Sequence, residues 1–115
     1  MSTTADKVRA AADHIEKYGL HKGSMYAEVR FRHRDELSQV AAQGIPCCTV
    51  GALHAFGVNE APVREAVARA AGPEVWDDYN QVDEIPIWND ADKRTADEVV
   101  AALRKAADKL EADRV

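Results

Sequence analysis

The sequence predicts a mainly α-helical fold, with α+β as the alternative, in which about four helices surround one core. Apolar residues recur at intervals of three and four in several separate segments, as amphipathic helices require. Glycine, proline and capping residues fall between these segments. The 115 residues are 46% apolar, which suffices for one core, so we expect a single domain over residues 1–115.

The first helix is predicted from Thr4 to Gly19. Thr4 is expected to cap its start, and Asp6 lies in the first turn, where the helix dipole favours a negative charge. Gly19 suits the left-handed conformation that often ends a helix. One apolar stripe is expected to face the core: Val8, Ala11, Ala12 and Ile15.

A strand or small hairpin is predicted between the first two helices. Ala27, Val29 and Phe31 alternate with charged residues, and alternation with a period of two is typical of a half-buried strand. Gly44 and Pro46 then interrupt the chain. The structure of residues 23–46 is otherwise left open by the sequence.

The second helix is predicted from Cys47 to Phe56 and is almost entirely apolar, so we expect it at the centre of the core. Gly51 lies inside it, where glycine costs about 1 kcal/mol relative to alanine. We expect that cost to be offset by the close approach of another helix or of Trp88.

Two further helices follow. Asn59 is expected to cap the third, with Pro62 in its first turn. Residues 75–79 suggest one more helical turn. The last helix begins with Thr95 and Glu98, which have the spacing of a capping box.

Two motifs link the chain to other sequences. Residues 48–53 read C-x-x-G-A-L, and residues 88–90 read W-N-D, followed by R-T-x-x-E-V at 94–99. With the alanine-rich first helix, they resemble a family of small uncharacterised domains from actinobacteria and their phages. The resemblance spans most of the chain and implies a shared fold, but no established activity.

Five residues are candidates for a ligand-binding site: Cys48, Trp88, Asn89, Asp90 and Arg94. The alternative interpretation is structural. Trp88 would pack against the last helix, and the side chains of Asn89 and Asp90 would hold the turn before it. Arg94 would then pair with Asp90 or Asp92.

The adjacent thiols of Cys47 and Cys48 have three interpretations. Free cysteines are among the most buried residues, which favours a place in the core. A nucleophilic Cys48 would begin a helix, where the dipole lowers a thiol pKa, but His54 would face another side. Adjacent cysteines chelate one metal ion poorly, so we expect no metal site and no catalytic residue.

Composition disfavours several other classes. The net charge of −5 disfavours binding to nucleic acid, and the basic residues 30–34 are flanked by acidic ones, as on a solvated face. No apolar run approaches the roughly 20 residues of a membrane helix, and the start does not resemble a signal peptide. We expect a cytoplasmic protein with reduced thiols and no cofactor.

These observations predict a non-catalytic accessory protein that binds a protein partner. By analogy with its phage-borne relatives, its role would be directed at the host or at defence. The alternative is a small-ligand-binding or enzymatic domain with a pocket around Cys48 and residues 88–90.

Overall fold

The computed structural model describes residues 2–27, 40 and 42–113. These described residues include five helices and two short strands whose bounds are defined. The strands pair antiparallel, with Trp76 opposite Asp83. The mainly helical class is confirmed, and five helices are close to the expected four. The elements are α1 (Thr4–Tyr18), α2 (Thr49–Ala55), α3 (Ala61–Ala71), β1 (Trp76–Asp77), β2 (Val82–Asp83), α4 (Ile85–Asp90) and α5 (Ala96–Ala112).

The core lies where α1 and α5 pack along each other. Their facing side chains are small or medium-sized, so the helices approach closely. α3 covers a second side of α5, and α2 packs against α1. The predicted stripe of α1 is confirmed, because these residues are all fully buried: Val8, Ala11, Ala12 and Ile15.

Ion pairs at the edge of this interface show that α1 and α5 are antiparallel. The Arg9 guanidinium, early in α1, lies 2.9 Å from carboxylate oxygens of both Asp108 and Glu111, late in α5. Arg104 of α5 reaches back to Asp13 and Glu16, late in α1. Exposed pairs contribute roughly 0–1 kcal/mol each, so they fix the pairing direction more than they add stability.

The helix caps follow local hydrogen-bond chemistry. The capping box of Thr95 and Glu98 is confirmed. The cap of α1, however, is Thr3 and not Thr4, because a capping box requires an acidic residue three positions later, and Asp6 has that spacing from Thr3.

The predicted cap of α3 was also wrong. The capping position is Glu60, which makes no side-chain cap bond, and Pro62 lies in the first turn as expected. The Asn59 side chain instead accepts a hydrogen bond from Arg64. Asn59 therefore bonds to a side chain of α3 and does not cap the backbone N–H groups of its first turn.

A hairpin, and not a helical turn, occupies residues 75–83. The Asp77 carboxylate accepts the backbone N–H groups of Tyr79 and Asn80, which closes a tight turn between β1 and β2. Gln81 has a φ of 55°, which a continuing helix would not allow. These local bonds override the apolar spacing of Val75, Trp76 and Tyr79.

The hairpin predicted between the first two helices falls largely on residues 28–39, outside the described part of the chain, as does the basic segment 30–34. The small hairpin of this structure lies between α3 and α4. The described residues after α1 make isolated bridges, in which Leu20 and Tyr26 both pair with Cys47.

Across residues 2–27, 40 and 42–113, none of the helices has both the length and the apolar character needed to cross a bilayer.

Candidate functional site

The candidate site lies where α2, α4 and residues 19–27, here called the 19–27 loop, meet. The loop runs against the start of α2 through backbone hydrogen bonds. His21 N–H donates to the Cys47 carbonyl (2.9 Å), and Cys48 N–H donates to the Met25 carbonyl (2.8 Å). Cys48 is the N-cap of α2, and its Sγ accepts the Gly51 N–H at 3.2 Å.

Gly51 is required by this arrangement. A Cβ atom there would lie 2.2 Å from the Met25 carbonyl oxygen, which is far inside van der Waals contact. The expected close approach is therefore real, but its source was predicted wrongly. The backbone of the 19–27 loop makes it, and neither a helix nor Trp88 does.

Asn89 joins the three elements. Its side chain is only 1% exposed. Its Oδ1 accepts from the Thr49 backbone N–H (2.8 Å) and from the Thr49 hydroxyl (2.6 Å). Its Nδ2 donates to the His21 carbonyl (3.1 Å) and to the Asp90 carboxylate (3.0 Å). Both donors and both acceptor positions of the amide are thus used within the fold, an arrangement we call the Asn89 clasp.

Asp90 extends the clasp to the protein surface. Its Oδ1 also accepts the Gly23 N–H at 3.0 Å. The hydrogen bonds from Asn89 and Gly23 hold the pKa of Asp90 below its ordinary value, so this exposed carboxylate is ionised at neutral pH. The neighbouring Lys22 Nζ donates to the Ala91 carbonyl (2.7 Å) and so caps the end of α4.

The two thiols differ in exposure. Cys47 is fully buried, and burial raises its pKa to about 12. Cys48 is half-buried, and burial raises its pKa as well, against the smaller effect of the Gly51 N–H. Both thiols are therefore protonated at neutral pH, and the core interpretation describes Cys47 better than Cys48.

A cavity of about 190 Å³ brings three of the five candidate residues together. Cys48 and Val50 form one wall, residues 23–25 of the loop form another, and α4 contributes Pro86 with residues 89–90. Most of this lining is apolar. Cys48, Asn89 and Asp90 thus share one small concave site, which is part of the grouping that the ligand hypothesis proposed.

Trp88 and Arg94 lie elsewhere. Trp88 is 7% exposed, and the Arg94 guanidinium covers its ring at 4.7 Å. Arg94 Nε donates to the Trp88 carbonyl (2.9 Å), and its NH1 pairs with Glu98. The predicted pairing of Arg94 with Asp90 or Asp92 was wrong, because Glu98 lies one helical turn along on the same side. The five candidates therefore divide between two faces of α4.

Sequence reasoning missed three large apolar side chains that are exposed in the hairpin and in α4. Tyr79 is 94% exposed, Val82 is 51% exposed and Ile87 is 70% exposed. They occur in residues 77–92, a stretch with six carboxylates and no lysine or arginine. Apolar residues embedded in an acidic run were the available signal.

In the part of the chain that the structure describes, no three His, Cys, Asp or Glu side chains are grouped so that they could hold a metal ion. The family of unknown function DUF6197 matches residues 1–109, so the chain belongs to this family. No curated protein and no solved structure matches it.

Proposed function

We propose that this domain is a non-catalytic accessory protein that binds a protein partner through the surface formed by the hairpin turn and α4. We call this surface, formed by Tyr79, Val82, Pro86 and Ile87, the docking surface. The observation that carries the proposal is the exposure of three large apolar side chains within nine residues of chain. Of these, Ile87 lines an open groove together with Pro86 and residues 90–92, and apolar side chains exposed in a groove are typical of binding surfaces.

The chemistry of the cavity supports binding over catalysis. The Cys48 thiol is protonated at neutral pH because burial raises its pKa, so it is a poor nucleophile. The Asn89 amide is fully hydrogen-bonded within the fold. Neither group has the free capacity that an enzyme site needs to polarise or attack a substrate.

The second candidate is a small-ligand site, which is favoured by the meeting of Cys48, Asn89 and Asp90 at one cavity. Ligand pockets usually have volumes of about 300–1,000 Å³. At about 190 Å³, this cavity suits a single side chain better than a free metabolite or cofactor. Its size therefore also supports recognition of a protein.

The resemblance to actinobacterial and phage-borne domains supports a finer proposal, in which the partner is a host or defence protein. A cytoplasmic location is proposed with it, since the sequence offers two free thiols and no disulfide framework.

The test compares the proteins that co-purify with the parent and with Ile87→Asp from cells of the natural source. We expect at least one stoichiometric protein to be lost with Ile87→Asp, because a charge at the docking surface prevents apolar burial. Ala112→Asp, which places the same charge on an exposed position of α5, serves as the matched control. Identical co-purifying proteins for all three versions, with unchanged circular dichroism, would contradict the proposal.

A further inference from the structure

We propose that the cavity between the 19–27 loop, α2 and α4 receives a lysine or arginine side chain of the protein partner. This inference rests on the proposed function and specifies the chemistry of that partner. The cavity adjoins the docking surface, because Pro86 and Asp90 line both the cavity and the open groove that also contains Ile87. A partner that packs on Ile87 would therefore also cover the opening of the cavity.

The walls suit the stem of a long basic side chain. Met25, Val50 and Pro86 present apolar surface to the cavity, and lysine and arginine bury their methylene groups against such surface while the charged head stays near water. The volume of about 190 Å³ is of the order of one such side chain.

The charge at the cavity suits the head group. The Asp90 carboxylate is exposed and ionised, and its Oδ1 is already bonded to Gly23 and Asn89. Its Oδ2 accepts no hydrogen bond from any residue in the described ranges. Lys22 and His21 are near enough to help lower the pKa of Asp90, but among the described residues neither forms an ion pair with it, and the Lys22 ammonium donates to the carbonyls of Ala91 and Asp92.

The carboxylates around the docking surface also favour a basic partner segment. Of the carboxylates around the docking surface, Asp78 pairs with Arg69 and Asp83 pairs with Arg64. Within the described residues, Glu84 and Asp92 form no ion pair and are exposed. The resulting negative potential would steer a basic segment toward the surface and penalise an acidic one.

Other occupants match the cavity less well. An anionic group would be repelled by the Asp90 carboxylate and would find both N–H groups of Asn89 engaged. A short neutral polar side chain could donate to Asp90 but would leave the apolar walls uncovered. A methionine or leucine would match the walls and leave Asp90 without a partner. A basic side chain is the one that uses both the walls and the carboxylate.

The probe is a displayed library of random dodecapeptides, selected on the parent and counter-selected on Ile87→Asp. We expect the enriched peptides to combine apolar residues with a required lysine or arginine. Replacing that residue by norleucine, which keeps the stem and removes the charge, should weaken binding about tenfold. Asp90→Asn should weaken the parent peptide similarly and leave the norleucine peptide unchanged.

A second measurement uses Cys48 as a reporter of the cavity. In Cys47→Ala, bound peptide should slow labelling of Cys48 by a thiol reagent, because the peptide covers the wall to which Cys48 belongs. Val50→Leu narrows the cavity without altering charge and should weaken the same peptides. It keeps the test valid if Asp90→Asn disturbs the fold.

The outcomes separate the two proposals. Peptides that require Ile87 but contain no basic residue, or that leave Cys48 labelling unchanged, overturn the cavity assignment and leave the docking surface standing. A library that yields no peptide preferring the parent over Ile87→Asp overturns both.

Discussion

The framework of α1, α3 and α5 and the region around the Asn89 clasp are built by different means. The framework packs mainly alanine, valine and leucine side chains, and α1 and α5 are joined by exposed ion pairs at the edge of their interface. The clasp region is assembled by a buried amide of α4 that bonds to backbone and hydroxyl groups of two other segments, the start of α2 and the 19–27 loop. Apolar burial holds the first region together, whereas directional hydrogen bonds position the parts of the second.

This difference has energetic consequences. Apolar burial contributes about 25 cal/mol per Å² and tolerates small shifts of the helices. A hydrogen bond contributes roughly 1 kcal/mol, but leaving its buried partner unpaired costs about 1–3 kcal/mol. We therefore expect a substitution in the framework to lower stability in proportion to the side-chain volume that it removes. A substitution in the clasp should lower stability by leaving buried polar groups without a hydrogen-bond partner.

The largest effect is expected for Trp88→Ala. Trp88 is 7% exposed, so truncation leaves a large void, and unfolding in denaturant should show a loss of about 3–5 kcal/mol. Trp76→Ala, at a half-buried tryptophan on the hairpin, is the matched control and should lose less. Equal losses for the two variants would show that Trp88 contributes no more to the core than a half-buried tryptophan does.

Asn89→Ala should cost about 2–3 kcal/mol, because it leaves the Thr49 N–H and hydroxyl buried without an acceptor. This exceeds the figure of about 1 kcal/mol expected for an exposed turn. Asn80→Ala, in the exposed hairpin turn, is the control. If Asn89→Ala is as stable as the parent, the clasp does not hold the fold, and residues 89–90 become the leading ligand site.

Gly51→Ala tests whether the 19–27 loop truly lies against α2. Helix propensity alone predicts a gain of about 1 kcal/mol, whereas the clash with the Met25 carbonyl predicts a loss of about 1–3 kcal/mol. Thiol labelling of Cys48 should also accelerate as the loop moves away. A more stable variant with unchanged labelling would mean that the loop lies elsewhere.

The smallest effect concerns the framework's caps. Thr95→Ala and Thr3→Ala should each cost about 1 kcal/mol by thermal or chemical unfolding, since both hydroxyls accept a backbone N–H. Thr4→Ala should be close to neutral, because Thr4 is already inside α1. The reverse order for Thr3 and Thr4 would restore the sequence-based assignment of the cap.

The framework was largely predictable because its signal is repeated. Val8, Ala11 and Ile15 report the same face of α1, so an error at one position changes little. The cap of α1 was misplaced by one residue because Thr3 and Thr4 are chemically equivalent. Only the three-residue spacing to Asp6 distinguishes them.

The candidate site was predictable only in part. Residues 48, 89 and 90 line one cavity while Trp88 and Arg94 do not, and nothing in the sequence brings the Met25 carbonyl to Gly51. α4 has six residues, too few for a periodic pattern, and thus Ile85 and Ile87 looked alike. Ile85 is fully buried and Ile87 is 70% exposed.

The pairing of α1 with α5 also governs how the chain reaches its fold. Residues 19–95 separate the two helices, so the part of α1 that packs on α5 stays uncovered in a growing chain until α5 has been synthesised. Contacts between distant segments require closure of a long loop before they stabilise anything, which slows folding. Until then the stripe of Val8, Ala11 and Ile15 lacks the helix that packs most extensively on α1, so α1 depends for its stability on a segment far along the chain.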